Sequence, residues 1–213
     1  MDPENLRFPT HPDHGQIIEA GKIICCQGIV IFPAQCLYGV AANALDPDAV
    51  RKVFEIKQRP LNNPILVLIH TRDDVNRLVK KIPPAARVLM DRFWPGNLTL
   101  VFGAAAPVSP LLTAGTGKIG IRIPAHPAAR ALVAQAKGPI TGTSANLSGQ
   151  PGCSRVDQLP SAMILGADLI IDAGPLKGGP GSSIVDITTD PVRIVRQGAV
   201  AALQIHQALL EKK

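Results

Sequence analysis

The order in which short apolar runs alternate with segments of helical period constrains the fold of this chain more than any other feature. Positions 17, 18, 21, 24 and 25 keep the spacing of one helix face, and after Gly28 the β-branched run 29–31 follows. Asp46 and Pro47 suit the N-cap and first position of a helix that continues to Lys57. This interspersed order predicts an α/β fold in which helices pack on a large, twisted, mixed sheet, without an internal repeat. Further helices are predicted at 73–81, 84–93, 126–136 and 200–210, and further strands at 65–69, 98–102, 119–123, 140–143, 168–171, 184–187 and 192–195.

Length and hydropathy predict a single folded unit. The chain has 213 residues, of which 46% are hydrophobic, enough for a sizeable core. Its longest apolar runs are far shorter than the roughly 20 residues that cross a bilayer. The first 15 residues are polar and lack the profile of a secretory signal. We therefore expect a flexible N-terminal segment at 1–15, one domain at 16–213, no membrane association and a cytoplasmic location.

Cysteine spacing and charge limit the kinds of ligand. The four cysteines, at 25, 26, 36 and 153, form no Cys-x-x-Cys pair and no zinc spacing, which predicts reduced thiols. His11 and His14 belong to the N-terminal segment, so no metal site is predicted. The formal net charge of +6 favours anionic partners such as nucleotides or RNA. With only 3% aromatic residues, stacking platforms for single-stranded nucleic acid are scarce.

Two short motifs together predict a triphosphate site. Lys57 and Arg59 stand two apart beside the proline turn at Pro60, where one polyanion can touch both cations. Ser144 and Asn146 add neutral donors much later in the chain. Each motif alone is weak, because Lys-x-Arg is usually solvated surface and Ser-x-Asn is often a turn.

The sequence around these motifs resembles the YrdC family from about residue 17 to residue 199. Phe32 to Gly39 stands where the family has Pro-Thr-x-Thr-x-Tyr-Gly. The other matching segments are Lys57-x-Arg59, Asn63-Pro64, Phe93-Trp94-Pro95-Gly96 with Leu98-Thr99, Ile121-Arg122-Ile123-Pro124, Thr143 to Gly149, Gly181 to Asp186 and Val195 to Ala199.

This resemblance implies a fold and an activity. The family fold is an open, twisted α/β sandwich whose concave face holds the substrates. The family enzymes are threonylcarbamoyl-AMP synthases, nucleotidyltransferases that combine L-threonine or a similar small amino acid, bicarbonate and ATP, and release pyrophosphate. Their adenylate product serves the threonylcarbamoyladenosine modification at A37 of tRNA and passes to separate threonylcarbamoyl transferase proteins. Mg²⁺ is expected with the ATP phosphates, without a tightly bound cofactor. Only weak contact with tRNA or double-stranded RNA is expected.

The resemblance also implies roles for individual residues. Lys57 and Arg59 would be catalytic, offsetting negative charge as pyrophosphate leaves. From the residues alone, Arg122 suits either a ligand carboxylate or a buried ion pair, and Arg196 is also consistent with a surface charge. The implied ATP-binding set is Lys57, Arg59, Asn63, Lys118, Ser144, Asn146, Gly152 and Arg196, and the implied amino-acid-binding set is Cys36, Leu68, Arg122, Gly142 and Ser182.

Three positions depart from the family pattern at the amino-acid end of the site. Ala34 and Cys36 replace two threonines, and Leu68 replaces a histidine. Three interpretations follow: a synthase with an adapted pocket, a YrdC- or YciO-like paralogue that forms a related product from another small substrate, or a non-catalytic module that binds RNA or nucleotide. Pyrophosphate release across a panel of amino acids distinguishes them.

Overall fold

The computed structural model describes residues 13–211, and its described part is built from two mixed β-sheets with helices packed on them. The strands are β1 Val30–Pro33, β2 Tyr38–Ala41, β3 Val67–Leu68, β4 Leu98–Gly103, β5 Lys118–Arg122, β6 Ile140–Thr141, β7 Thr143–Ser144, β8 Leu169–Ile170, β9 Ser183–Asp186 and β10 Arg193–Arg196. The helices are α1 His14–Cys25, α2 Pro47–Ile56, α3 Val75–Leu78, α4 Pro84–Phe93, α5 Pro110–Thr113, α6 Pro127–Gln135, α7 Ser161–Gly166 and α8 Ala202–Leu210, with short 3-10 turns at Arg72–Asp74 and Val156–Gln158.

The smaller sheet has the strand order β7-β2-β1-β8, and the larger has β10-β9-β4-β5-β3-β6. In the larger sheet, β4 runs parallel to β9 and antiparallel to β5, while β5 runs parallel to β3. The chain changes sheets at Gly142, because β6 pairs with β3 in the larger sheet and β7 pairs with β2 in the smaller one.

Capping residues and apolar faces explain where the helices form and how they pack on these sheets. The Asp46 side chain accepts hydrogen bonds from the backbone N–H groups of Asp48 and Ala49, so it caps α2 as its sequence predicts. Apolar faces of α1 and α6 pack on each other and on one side of β1. On the other side of β1 lies the main core, to which α2, α4 and α8 contribute.

Strand β5 shows how one segment serves both the core and an open face. Its sequence Lys-Ile-Gly-Ile-Arg alternates, so Ile119 and Ile121 are buried in the main core. Lys118, Gly120 and Arg122 therefore share the opposite face of the larger sheet, which lines a cavity. No helix among residues 13–211 is long and apolar enough to cross a membrane.

The α/β class predicted from the sequence is confirmed, and α4 has the predicted bounds. The prediction of one large sheet is wrong, because the predicted strand 140–143 divides at Gly142 between two sheets. The predicted helix 73–81 is only the four-residue α3 after a 3-10 turn, and β2, α5 and α7 were not predicted. His14 and Gly15 belong to α1 rather than to a flexible segment, while His11 lies outside the described residues.

Candidate functional site

A cavity of about 690 Å³ lies on the face of the larger sheet that carries Lys118, Gly120 and Arg122. Because side chains alternate between the two faces of a strand, every second residue of the central strands lies at the floor of this cavity, as in β5. Thr99 and Val101 come from β4, and Ile184 and Asp186 from β9. The smaller sheet contributes Ser144 from β7, so the cavity is bounded by both sheets.

A β-bulge adds a charge to this floor. The pairing of β10 with β9 shifts between Ile194 and Arg196, so two residues of β10 face one of β9. As a result the consecutive residues Val195 and Arg196 both line the cavity. In a regular strand they would point to opposite faces.

The cavity is strongly cationic. Among the described residues that line it, the five cations Arg59, Lys118, Arg122, Arg193 and Arg196 face the single carboxylate of Asp186. The Lys118 ammonium lies 2.8 Å from this carboxylate, and the Arg193 guanidinium 3.9 Å from it. Such an excess of positive charge suits a polyanionic ligand.

Asp186 stays ionised within this cluster. Burial acts to raise its pKa, but hydrogen bonds from Lys118 and Thr188, together with the charge of Lys118, outweigh that effect and hold the pKa below its usual range. Asp186 therefore neutralises part of the charge at one end of the floor and leaves Arg59, Arg122 and Arg196 without a carboxylate partner among the residues that line the cavity.

Arg122 is the cation with the poorest hydrogen bonding. Its guanidinium is buried, its Nη1 makes only long contacts of 3.4 Å to the Gly96 carbonyl and 3.5 Å to Asn97 Oδ1, and its Nε has no partner in the described structure. Burial lowers its pKa to about 10, the charge of Arg196 contributes further lowering, and the nearby Cys36 thiol opposes it. A buried, under-bonded guanidinium is arranged to accept an anion such as a carboxylate.

Arg196 and Ser182 form one hydrogen-bonded unit beside Arg122. The Arg196 guanidinium donates from Nε and Nη2 to the Ser182 carbonyl, at 3.1 and 2.7 Å. The Ser182 hydroxyl lies 2.8 Å from that of Thr99 in the floor. These bonds fix the guanidinium, and burial lowers the pKa of Arg196.

Arg59 is held at the cavity edge by the turn that follows it. Its Nε donates to the Asn63 carbonyl at 3.0 Å, and its Nη2 donates to the Pro64 carbonyl at 2.8 Å. Burial lowers the pKa of Arg59. Asn63 thus acts through its main chain, and its side chain does not line the cavity.

Lys57 lies behind the cavity wall, with 1% of its surface exposed. Its ammonium donates to the carbonyl of Ser144, to the carbonyl of Asn146 at 2.7 Å and to Asn146 Oδ1 at 3.3 Å. Burial lowers its pKa to about 8, and the charge of Arg59 adds to the effect. All three of its protons are therefore engaged in holding the loop at Ser144.

Asn146 is similarly committed to the loop. Its Oδ1 accepts a hydrogen bond from the Ser144 hydroxyl, and its Nδ2 donates to the carbonyls of Leu147 and Gln150. Gly152 lies directly behind Leu37, since a Cβ atom there would be 2.7 Å from Leu37 Cδ1. Both residues support the wall from outside the cavity.

The structure thus divides the predicted site residues into two groups. Those that line the cavity are Cys36, Arg59, Lys118, Arg122, Gly142, Ser144, Ser182 and Arg196. Those that lie behind its surface are Lys57, Asn63, Leu68, Asn146 and Gly152.

The cavity is apolar on one side. Ala34, Cys36 and Leu66 line it, and Leu68 is fully buried beneath Gly142. A side chain at Gly142 would collide with both leucines, because its Cβ would lie 2.7 Å from Leu66 Cδ1 and from Leu68 Cγ.

Several lining residues were not predicted from the sequence. Once β9 and β10 are paired, strand alternation places Asp186 and Arg193 at the cavity. The sequence alone indicates this pairing only weakly. Tyr38 lines the cavity, and its buried hydroxyl lies 3.0 Å from Asp172 Oδ1 and 2.8 Å from the Gly174 carbonyl. Burial raises the pKa of Tyr38 to about 12. Gln35 also lines the cavity, and no sequence pattern indicates it.

No three His, Cys, Asp or Glu side chains within residues 13–211 are grouped so as to hold a metal ion. The polar side chains that line the cavity are cations, hydroxyls, two amides, the Cys36 thiol and the Asp186 carboxylate. The cations and hydroxyls of this lining can donate hydrogen bonds to an anion.

Comparison with known proteins identifies relatives of this chain. The sequence model of the Sua5/YciO/YrdC family, described as "Telomere recombination", matches residues 16–198. The threonylcarbamoyl-AMP synthase of Pyrococcus abyssi is 36% identical over 183 residues, which cover 86% of this chain and 54% of that protein. That of Bacillus subtilis is 35% identical over 91% of this chain and 56% of its own length. The chain thus spans about half the length of these curated relatives.

A protein of Mycobacterium tuberculosis, provisionally named as the same synthase, is 33% identical and is covered over 92% of its length, with 94% of this chain. Among solved structures, P. abyssi Sua5 in complex with L-threonine superposes with a TM-score of 0.89 at 34% identity, covering 92% of this chain and 58% of that one. Escherichia coli YciO, 24% identical over 92% of this chain and 96% of its own, shares the fold with a TM-score of 0.79.

Proposed function

Because the chain belongs to the Sua5/YciO/YrdC family, we propose that it is a threonylcarbamoyl-AMP synthase, which joins L-threonine, bicarbonate and ATP and releases pyrophosphate. The observation that carries the proposal is the cavity itself: five cations face one carboxylate, and the most buried of those cations, Arg122, lacks good partners. The names of the relatives and the threonine complex of P. abyssi Sua5 support the choice of substrates.

The proposed reaction brings several negative charges into one cleft. The amine nitrogen of the amino acid bonds to the bicarbonate carbon as water leaves, which gives a carbamate. A carbamate oxygen then bonds to the α-phosphorus of ATP, and the α–β anhydride bond breaks with its electron pair leaving on pyrophosphate. Fixed positive charge favours both the approach of these anions and the departure of pyrophosphate.

Three cations suit the triphosphate. Arg59 at the edge, Lys118 on β5 and Arg196 on β10 line the cavity from different elements, so a chain of phosphates can contact more than one of them. Arg122 makes only long contacts to Gly96 and Asn97, and its guanidinium can donate to a carboxylate of the amino acid. A guanidinium can bind a carboxylate with two parallel hydrogen bonds, which fixes orientation as well as adding affinity.

Lys57 has a different role in this proposal from that implied by the resemblance. Its ammonium is occupied by Ser144 and Asn146, so it acts as a positioning residue that presents the Ser144 side of the wall to ATP. Mg²⁺ enters with ATP, held by phosphates and water rather than by a carboxylate cluster. The adenylate would pass to a separate transferase for tRNA modification.

The apolar wall favours one alternative substrate class. Ala34, Cys36 and Leu66 offer less hydrogen bonding to a substrate hydroxyl than threonine or histidine side chains do. A paralogue that uses another small amino acid is therefore the second candidate, and the test must include several amino acids.

The test is pyrophosphate release from ATP and bicarbonate with L-threonine, serine, valine and glycine. We expect release with threonine, and we expect Arg59→Gln and Lys118→Gln to reduce it strongly. Arg87→Gln, at an exposed position of α4, is the matched control and should leave the rate unchanged. Release with another amino acid alone would favour the paralogue, whereas ATP binding without release in any mixture would favour a binding module.

A further inference from the structure

Two buried polar atoms in the cavity lack hydrogen-bond partners, and they have opposite character. One is Arg122 Nε, a charged donor, and the other is Gln35 Oε1, an acceptor. Both residues line the same cavity. An unpartnered buried polar group is destabilising, so a donor and an acceptor left free in one cleft indicate a ligand that supplies both complements.

The backbone around Gln35 is fixed. Gln35 lies in the four-residue connection between β1 and β2, which is closed by a hydrogen bond of 3.1 Å from the Ala34 N–H to the Leu37 carbonyl. The Gly178 N–H donates to the Cys36 carbonyl at 2.9 Å and ties this turn to the loop that enters β9. The turn therefore holds the Gln35 side chain at the cavity wall rather than leaving it free in solvent.

Gln35 and its neighbour Cys36 line the same cavity as Arg122. The next residue, Cys36, lies close enough to Arg122 for its thiol to influence the guanidinium electrostatically. A small molecule whose carboxylate binds Arg122 would therefore lie in the same cavity as the residues of the 34–37 turn.

We propose that Gln35 binds the amine of the substrate amino acid through Oε1, while Arg122 binds its carboxylate, so that the two residues together select a zwitterion. This inference rests on the proposed function for the identity of the ligand. An α-amino acid carries a hydrogen-bond donor and an anion on one carbon atom, and these are the two kinds of partner that Gln35 Oε1 and Arg122 Nε lack. Gln35 is then a specificity-determining residue that also orients the nitrogen before it bonds to carbon.

A second assignment of the Gln35 acceptor is the exocyclic amine of the adenine base of ATP. The two assignments differ in which ligand loses affinity when the amide is removed. Binding measurements with each ligand alone therefore distinguish them, without requiring turnover.

The test is a thermodynamic cycle between Gln35 and the substrate amine. Calorimetry would compare L-threonine with 3-hydroxybutanoate, which lacks only the amine, on the full chain and on Gln35→Met. We expect the full chain to prefer threonine and Gln35→Met to lose about tenfold in threonine affinity, with little change for 3-hydroxybutanoate or ATP. Gln207→Met, at an exposed position of α8, is the matched control and should change none of these affinities.

The outcomes are separable from those of the proposed function. Equal losses for threonine and 3-hydroxybutanoate, no loss for either, a loss confined to ATP, or no binding of any amino acid by the full chain would each overturn the role of Gln35. If threonine binds and the cycle shows coupling but no pyrophosphate is released, the synthase proposal fails and the amine site stands. A melting temperature of Gln35→Met close to that of the full chain shows that the variant is folded.

Discussion

At the scale of single residues, the site contains buried charged groups whose surroundings do not stabilise the folded chain. Arg122 is buried with only long contacts, and Lys57 is a buried ammonium bound by neutral oxygens without a carboxylate. Burying a charge without a counter-ion costs free energy, and the chain keeps two such charges near one cleft. Their surroundings yield two predictions in which stability and binding change differently.

Arg122→Met should stabilise the fold and impair binding. The substitution replaces an under-bonded guanidinium by an apolar side chain of similar length, so we expect the free energy of unfolding to rise by about 1–3 kcal/mol. Affinity for L-threonine should fall at least about tenfold, because its carboxylate loses its charged partner. Chemical denaturation and calorimetry measure the two effects, with Arg87→Met as the exposed control. A loss of stability with unchanged threonine affinity would contradict the role given to Arg122.

Lys57 should make stability depend on pH between about 8 and 10.5. Burial, followed by the charge of Arg59, lowers the Lys57 pKa from 10.5 to about 8 in the folded chain. In that window the unfolded chain binds a proton that the folded chain has released, so raising the pH favours the folded chain, by up to about 3 kcal/mol. Lys57→Met lacks this dependence.

The measurement for Lys57 is the free energy of unfolding of both forms across that pH range. The difference between them should change in favour of the natural chain as pH rises, while Lys52→Met on the exposed side of α2 serves as the control. A difference that stays constant with pH would show that Lys57 is not desolvated in solution.

At the scale of elements, the site depends on where strands change direction, sheet or register. β10 contributes both Val195 and Arg196 to the cavity because of its bulge. β6 and β7 join the two sheets through Gly142, which leaves no room for a side chain beside Leu66. The bulge in β10 thus lets a side chain line the cavity that a regular strand would direct to the opposite face.

Gly142→Ala should disturb the fold and the amino-acid end together. Its new methyl group would stand 2.7 Å from atoms of Leu66 and Leu68, so the leucines must move, at a cost of about 1–3 kcal/mol. Displacement of Leu66 into the cavity should raise the KM for the amino acid more than the KM for ATP. Gly138→Ala is the control, because its methyl group would meet only the Ala136 carbonyl oxygen at 3.9 Å. Equal behaviour of the two variants would show that the crossing at Gly142 tolerates a side chain.

These elements also explain what the sequence predicted and what it did not. Strand β5 and helix α4 were predictable because their patterns are local: alternation in one, a helical period opened by Pro84 in the other. The division of the strand at Gly142 depends on packing against residues about 75 positions earlier, which local periodicity does not encode. Of the motif residues, Arg59 and Ser144 line the cavity, but whether a cation lines the cavity or supports a loop, as Lys57 does, depends on burial.

At the scale of the whole molecule, charge is concentrated where the two sheets meet. The chain carries a formal net charge of +6, and the cavity lining alone contributes five cations against one carboxylate among the described residues. A small anion can enter this cleft, whereas a duplex can contact only its rim and the outer surface. The electrostatics therefore favour tight binding of nucleotides and loose association with RNA.

Association with tRNA should be weak and strongly dependent on salt. Binding by scattered surface cations releases counter-ions, so we expect the affinity to fall at least about tenfold between roughly 50 and 200 mM salt, without preference for sequence. Fluorescence anisotropy with tRNA and with an unrelated duplex RNA measures both properties. A salt-resistant complex specific for tRNA would point instead to a dedicated RNA interface.

The alternation along β5 has a consequence for how this chain tolerates change. The same five residues supply the interior with Ile119 and Ile121 and the cleft with Lys118 and Arg122. Inserting or deleting one residue there, without a bulge such as that of β10, would reverse the faces of the residues on one side of the change, turning a cation inward or an isoleucine into the cleft. A change of length in this strand therefore affects folding and ligand binding together, whereas point substitutions can change the two separately. On this scaffold, substrate preference can therefore diverge through substitutions that leave the length of β5 unchanged.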